Sequence, residues 1–144
     1  TEIKLDVPTD SFLPSDYVEK EELRLEAYRR LADVTTDAQV DDIRAEWEDR
    51  YGPLPAPAES LLQVGYLRAE CHRIGIQDLQ ITSSDARIRP IDLAISATIR
   101  LRRLAKGAKY KEDLLQLVVP LPSRKDPSTY LVQFLRDLVP ADTV

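Results

Sequence analysis

Few side chains in this chain could do chemistry. There is one histidine and one cysteine, and they are neighbours, His72 and Cys71. Nucleophilic catalysis needs a base facing the nucleophile. Consecutive residues on a helix point about 100° apart, so these two do not face each other. One His and one Cys also fall short of the ligand set of a structural zinc site. The chain holds four glycines and neither GxxxxGK[ST] nor GxGxxG, so it offers no loop to cradle a phosphate. Carboxylates remain. Asp42/Glu46 and Glu46/Asp49 stand at i,i+4 and i,i+3, close enough to interact. Acid–base work, however, wants a concave, partly desolvated site, and a helix face supplies neither. These observations point to a domain with no catalytic centre, metal or cofactor of its own.

The carboxylates lie in the most informative stretch, TDAQVDDIRAEWEDRYGPLPAP (36–57). Thr36 and Gln39 fit a capping box. Val40, Ile43, Trp47 and Tyr51 recur at helical spacing and line one face. Gly52 suits the C′ position, and Pro53, Pro55 and Pro57 stop the helix. At about 100° per residue, Asp42, Glu46 and Asp49 fall opposite the apolar seam, with Arg50 flanking them. The helix thus has a core face and a continuous acidic face. An acidic stripe is commonly just solvated surface; the alternative is that it meets a basic partner.

A second charged group is basic: Arg100, Arg102, Arg103, Lys106, Lys109 and Lys111. Only Tyr110 interleaves, so the stacking platform of a single-strand binder is missing. This segment reads either as a solvated face or as a nucleic-acid contact.

Elements must position these groups. Glu2–Val7 alternates and reads as a strand with Ile3, Leu5 and Val7 inward. Residues 8–18 connect it to a helix over 19–33, with Leu23, Ala27, Tyr28 and Leu31 on its apolar face and a Glu26–Arg30 pair on its surface. A short turn joins that helix to the acidic one, making a helical hairpin. A third helix over 57–74 is apolar around most of its circumference and is therefore expected to be the most buried. Gly65 in its middle predicts a close contact, and Arg68 within the apolar arc needs a carboxylate or carbonyl partner.

The spacing then predicts strands at 76–81 and 86–92 joined as a hairpin, and a helix at 97–105 capped by Ser96. It further predicts an interior strand at 114–119 and a helix opening at Asp126-Pro127 with Leu131, Phe134, Leu135 and Leu138 buried. A frayed tail follows at 141–144. The fold class is α+β: a helical hairpin and a long buried helix packed on one side of a small, mainly antiparallel sheet.

With 144 residues, the chain is expected to form a single domain (1–144). No apolar run nears the ~20 residues of a membrane span, and TEIKLD is no signal peptide. The lone cysteine fits a reducing cytoplasm. The absence of Met suggests a domain excised from a longer protein. Charge is uneven: residues 1–60 hold 7 basic and 16 acidic side chains (7 − 16 = −9), and residues 61–144 hold 13 and 9 (13 − 9 = +4). The acidic half should attract a basic protein surface.

Three segments, LRLEAYRRLAD (23–33), DDIRAEWEDRYGPLP (41–55) and LLQVGYLRAECHRIGI (61–76), together resemble the C-terminal domain of the bacterial transcription-repair coupling factor (Mfd) family. The resemblance is specific over residues 14–81; beyond them it extends only to a general order of strands and helices. It implies a regulatory domain of an ATP-driven DNA translocase that also engages UvrA, RNA polymerase and DNA. It implies docking on a UvrB-like module of the same polypeptide, which masks the UvrA-binding surface. The family's docking carboxylates map to Glu46 and Asp49; Asp42 and Arg50 join them by geometry. The alternative reading is a nucleic-acid-binding accessory domain using Arg100, Arg102, Arg103 and Lys106.

Overall fold

The computed structural model describes residues 2–141. The expected frayed tail, apart from Ala141, lies outside them. In order the elements are β1 (Lys4–Leu5), α1 (Glu21–Ala32), α2 (Asp37–Tyr51), α3 (Ala56–Ile74), β2 (Asp78–Ile81) and β3 (Asp85–Arg89). There follow α4 (Ile95–Leu104), β4 (Lys109–Lys111), a 3-10 turn at Glu112–Leu114, β5 (Gln116–Pro120) and α5 (Pro127–Leu138).

The strands form one five-stranded sheet in the order β1-β2-β3-β5-β4. Only the β1–β2 pairing is parallel. One face of the sheet is apolar and buried: Leu79, Ala86, Ile88, Leu117 and Val119 lie under α3, α4 and α5 side chains. The other face carries Gln80, Arg87, Arg89, Lys109 and Lys111, all exposed. This one-sided alternation is the usual pattern of an antiparallel sheet with one solvated face. The α+β architecture expected from the sequence is the one observed.

Two cores share one helix. Leu67 and Cys71 of α3 belong to the sheet core, whereas Ala58, Leu61 and Leu62 pack with Leu31, Val40, Ile43 and Trp47 in the core of the α1–α2 hairpin. Gly65 sits between the two groups. A Cβ there would lie 2.5 Å from the Leu31 Cδ2 methyl and 3.4 Å from both Val40 methyls. The missing side chain is what lets the hairpin settle onto α3.

Several expectations need correction. Only Lys4 and Leu5 form the first strand, and Val7 beyond it is 49% exposed rather than inward. Past Leu5 the Asp6 amide still donates to the Leu79 carbonyl at 3.1 Å, and its carboxylate accepts from the Ile81 amide, before the chain leaves the sheet edge. Helix α4 starts at Ile95 behind Ala94, without a side-chain cap, so Ser96 lies inside the helix. Ile99 points out and is 64% exposed, while Ala97, Leu101 and Ala105 are buried in its place. Leu114 leaves the last strand for the 3-10 turn, because Leu115 adopts a left-handed φ of 49° that reorients the chain. That turn lets Lys109–Lys111 pair as an additional edge strand, a place where lysines discourage further pairing. Residues 8–18 do connect, but they are packed: Leu13 and Val18 are buried, and the Leu13 amide donates to the Tyr28 hydroxyl at 2.8 Å.

Candidate docking face

Helix α2 is held at both ends and along two sides. At its N-terminus the capping box is complete, with Thr36 Oγ1 accepting from the Gln39 amide and the Gln39 side chain accepting from the Thr36 amide. Its inner side buries Val40, Ile43 and Trp47. A flank facing α3 and α5 carries a polar network. Arg44 makes a two-pronged pair with Glu59 at 2.8 and 2.6 Å, the Tyr66 hydroxyl donates to Asp41, and Arg136 donates to Asp37 at 2.9 Å. The Arg136 guanidinium also lies 3.8 Å from the buried carboxylate of Glu70, which Arg73 contacts at 2.7 Å. At the C-terminus the Tyr17 hydroxyl bridges the carbonyls of Trp47 and Gly52 at 3.2 and 2.9 Å. Packing, cap and network together fix which face of α2 looks outward.

These contacts shift ionisation. Hydrogen bonds from Arg44 hold the Glu59 carboxyl below its ordinary range. Burial pushes Asp37 up, and Arg136 opposes that only in part. Burial also raises the Cys71 thiol to about 12, which leaves it inert as a nucleophile. His72 is exposed, so the two neighbours do not meet. Arg68 finds the carbonyl partner it needed, donating to Ile3 at 3.4 Å.

Of the acidic group, Asp42, Glu46 and Asp49 are all exposed, as is Arg50. They are not equivalent. Glu46 leans toward α1 and accepts from Arg30 at 2.5 Å. The surface pair expected between Glu26 and Arg30 is replaced by this cross-hairpin contact. Arg50 turns back over the Tyr51 ring, its guanidinium carbon 5.2 Å from the centroid. Asp42 borders a groove of about 300 Å3 with Arg30, Asp33, Val34, Gln39 and Ile43. Glu46 and Arg50 border a second, of about 70 Å3, with Leu23, Glu26 and Trp47. Arg30 lines both grooves, so the crevice between α1 and α2 runs past the Arg30–Glu46 pair. The sequence reading missed Arg30 as a member of this site; only the hairpin brings residues sixteen apart together.

The basic residues divide. Arg100 is structural: its Nε and Nη2 donate to the Leu138 carbonyl at 3.2 and 2.7 Å, satisfying the end of α5. Arg102, Arg103 and Lys106 are exposed on and just after α4. Lys109 and Lys111 lie on the open sheet face beside Arg87 and Arg89, two residues the sequence reading passed over. Their signal was available in the alternation of DARIR at 85–89.

Comparison with known proteins bears on family and fold. The family model of the TRCF domain matches residues 7–97, well over half the chain. The transcription-repair-coupling factor of Mycobacterium tuberculosis is 38% identical over 147 aligned residues, covering 97% of this chain and 12% of that protein. The Escherichia coli transcription-repair-coupling factor is 38% identical over 80 residues, covering 56% of this chain and 7% of that protein. The chain therefore spans about an eighth or less of these relatives. A crystal structure of the C-terminal domain of a transcription-repair coupling factor superimposes with a TM-score of 0.76 at 17% identity, covering 96% of this chain and 91% of that one, which shows a shared fold. With a matching family model and a 38% identical relative spanning nearly all of its residues, the chain belongs to the TRCF domain family.

Proposed function

We propose that this chain is a non-catalytic docking domain that regulates a longer DNA-translocating protein from within. The outward carboxylates Asp42, Glu46 and Asp49 clamp a basic surface on a UvrB-like module of the same polypeptide, and the clamp masks the surface that recruits UvrA. The single observation carrying this reading is positional. Three exposed carboxylates share the solvent side of a helix whose opposite side buries Val40, Ile43 and Trp47. The face is accessible, and Asp42 and Asp49 flank the Arg30–Glu46 pair on it.

The energetics suit a releasable contact. Exposed ion pairs contribute about 0–1 kcal/mol each. A linked partner sits at high effective concentration, so a weak contact suffices to keep the domain closed. Salt screens such pairs over about 10 Å at 0.1 M, so docking weakens as salt rises.

Asp42→Arg with Asp49→Arg is the variant to use, because neither carboxylate has an ion-pair partner among the described residues. Like charge against a basic surface costs several kcal/mol. In the longer protein the variant is expected to keep its melting temperature and to bind UvrA more tightly. Equal UvrA affinities, with the domain folded, would reduce the acidic face to solvated surface.

Nucleic-acid contact centred on Arg100, Arg102, Arg103 and Lys106 is not favoured, because Arg100 is engaged at the end of α5.

A further inference from the structure

We infer that the open face of the sheet is a binding surface for the phosphate backbone of single-stranded nucleic acid, centred on Arg87, Arg89, Lys109 and Lys111. The inference does not depend on the docking role of α2.

Strand register places the four cations. Arg87 of β3 stands opposite Val118 of β5, and Val118 stands opposite Lys109 of β4. Lys111 stands opposite Gln116. Arg89, two residues along from Arg87, continues the same face. The cations therefore occupy the corners of a rectangle. Strands are about 4.8 Å apart and rise about 3.4 Å per residue, so the sides are about 10 Å and about 7 Å. A stacked nucleic-acid strand carries one charge per about 3.4 Å. Phosphates one or two nucleotides apart thus fall within reach of flexible Arg and Lys side chains.

The whole face has to be counted, including its acids. Lys4 of β1 stands opposite Asp78 and adds a fifth cation. Asp85 and Asp78 share the face and lie 3.8 Å from Arg87 and 3.9 Å from Arg89. These are the longest ion pairs on the sheet, beyond hydrogen-bond distance, and both arginines stay more than half exposed. Asp6, whose amide donates to the Leu79 carbonyl and whose carboxylate accepts from the Ile81 amide, adds a third acid, so five cations against three carboxylates leave +2 on a face that nothing among the described residues covers. Gln116 lies beside Lys111 on β5, and Gln80 flanks Arg87 from β2. Their amides can both donate and accept, which suits the unpaired base edges of a single strand. The face has no outward aromatic: Tyr110 turns inward and donates to the Ile91 carbonyl at 2.9 Å. Binding is therefore electrostatic and indifferent to sequence, with no stacking contribution.

The test uses the 144-residue chain and a 20-nucleotide single strand of mixed sequence, followed by fluorescence anisotropy from 50 to 200 mM salt. Neutralising about two phosphates gives a slope of log affinity against log salt of about −1.4, so the fourfold rise in salt weakens binding about 7-fold. Arg87→Gln with Lys109→Gln should leave the face with no net positive charge, so that binding is weaker at 50 mM salt and nearly independent of salt over the same range. Arg102→Gln with Arg103→Gln should bind like the parent. Circular dichroism confirms that each variant folds, and Arg89→Gln with Lys111→Gln serves as the independent second pair. Four results would each overturn the inference: no binding at 50 mM salt, unchanged binding by both sheet-face variants, loss only in the α4 variant, or tighter binding of a 20-base-pair duplex or of polyglutamate than of the single strand.

Discussion

Arg30 on α1 donates to Glu46 on α2 across the helical hairpin, 2.5 Å from guanidinium to carboxylate, with both side chains nearly half exposed. The pair ties together the two grooves of the α1–α2 crevice. It also sets a competition: any basic partner that uses Glu46 must share it with, or take it from, Arg30. Among the described residues Asp42 and Asp49 have no such internal cation, which leaves them the unpaired carboxylates of the face.

Arg30→Ala should therefore release Glu46 and tighten docking on a basic module, while Glu46→Gln should weaken it. Both changes should alter stability by less than about 1 kcal/mol, since the pair is solvent-exposed. Titration of each variant against the UvrB-like module proposed above as the partner gives the comparison. If Arg30→Ala binds more weakly than the parent, Arg30 is itself a contact and the competition does not exist.

Gly65→Ala tests how the hairpin sits. Alanine raises helix propensity by about 1 kcal/mol over glycine. Its methyl, however, would meet Leu31 at 2.5 Å, and overpacking costs about 1–3 kcal/mol. The clashing atom is the end of the Leu31 side chain, so relief comes either from another Leu31 rotamer or from lifting α1, which carries Arg30. We expect net destabilisation in urea melts, together with loss of the Arg30–Glu46 contact seen as a changed salt dependence of stability. A variant as stable as the parent would mean that Leu31 has a free rotamer and the contact is soft.

How much of this was legible depended on distance along the chain. The capping box at Thr36, the buried Val40–Ile43–Trp47 stripe and the Asp126-Pro127 helix start are local, and local chemistry decides them. The close approach at Gly65 was readable because a mid-helix glycine is unfavourable without a packing reason. The fates of Glu46, Arg100 and the Lys109–Lys111 strand were not readable. Each is decided by a partner far away in sequence: Arg30, the Leu138 carbonyl and Gln116–Val118. Helical periodicity places a side chain on a face, and it says nothing about which neighbour arrives there.

The acid limb of stability should show two opposing groups. Glu59 is held below its ordinary range by Arg44. Its contribution is present above the unfolded carboxylate range and is lost as pH falls through the folded value. Asp37 is raised by burial. It binds its proton more tightly when folded, so its contribution is present at low pH and is lost as pH rises through the folded value. Glu59→Gln should make the loss of stability below neutral pH shallower, and Asp37→Asn should make it steeper. Urea midpoints between pH 3 and 7 measure both, and slopes that move in the same direction in the two variants would contradict the assignment.

Arg100 provides the sharpest separation of structure from binding on the basic half. Its two donors converge on the Leu138 carbonyl, one of the last four of α5 that have no intrahelical partner. A cation at that helix end is also favoured by the macrodipole. Leu138 is fully buried, so water cannot readily replace the lost donor. Hydrogen bonds to charged groups contribute about 1.5–3 kcal/mol, and Arg100→Ala should cost that much. Arg100→Lys should recover only part of it, because a lysine cannot present two donors in a fixed fork. Arg102→Ala and Arg103→Ala, exposed on the same helix, should stay within about 0.5 kcal/mol of the parent. Urea unfolding of the four variants gives the ranking directly. Should Arg100→Ala melt with Arg102→Ala, the guanidinium is not holding the end of α5, and Arg100 returns to the pool of cations available to a ligand.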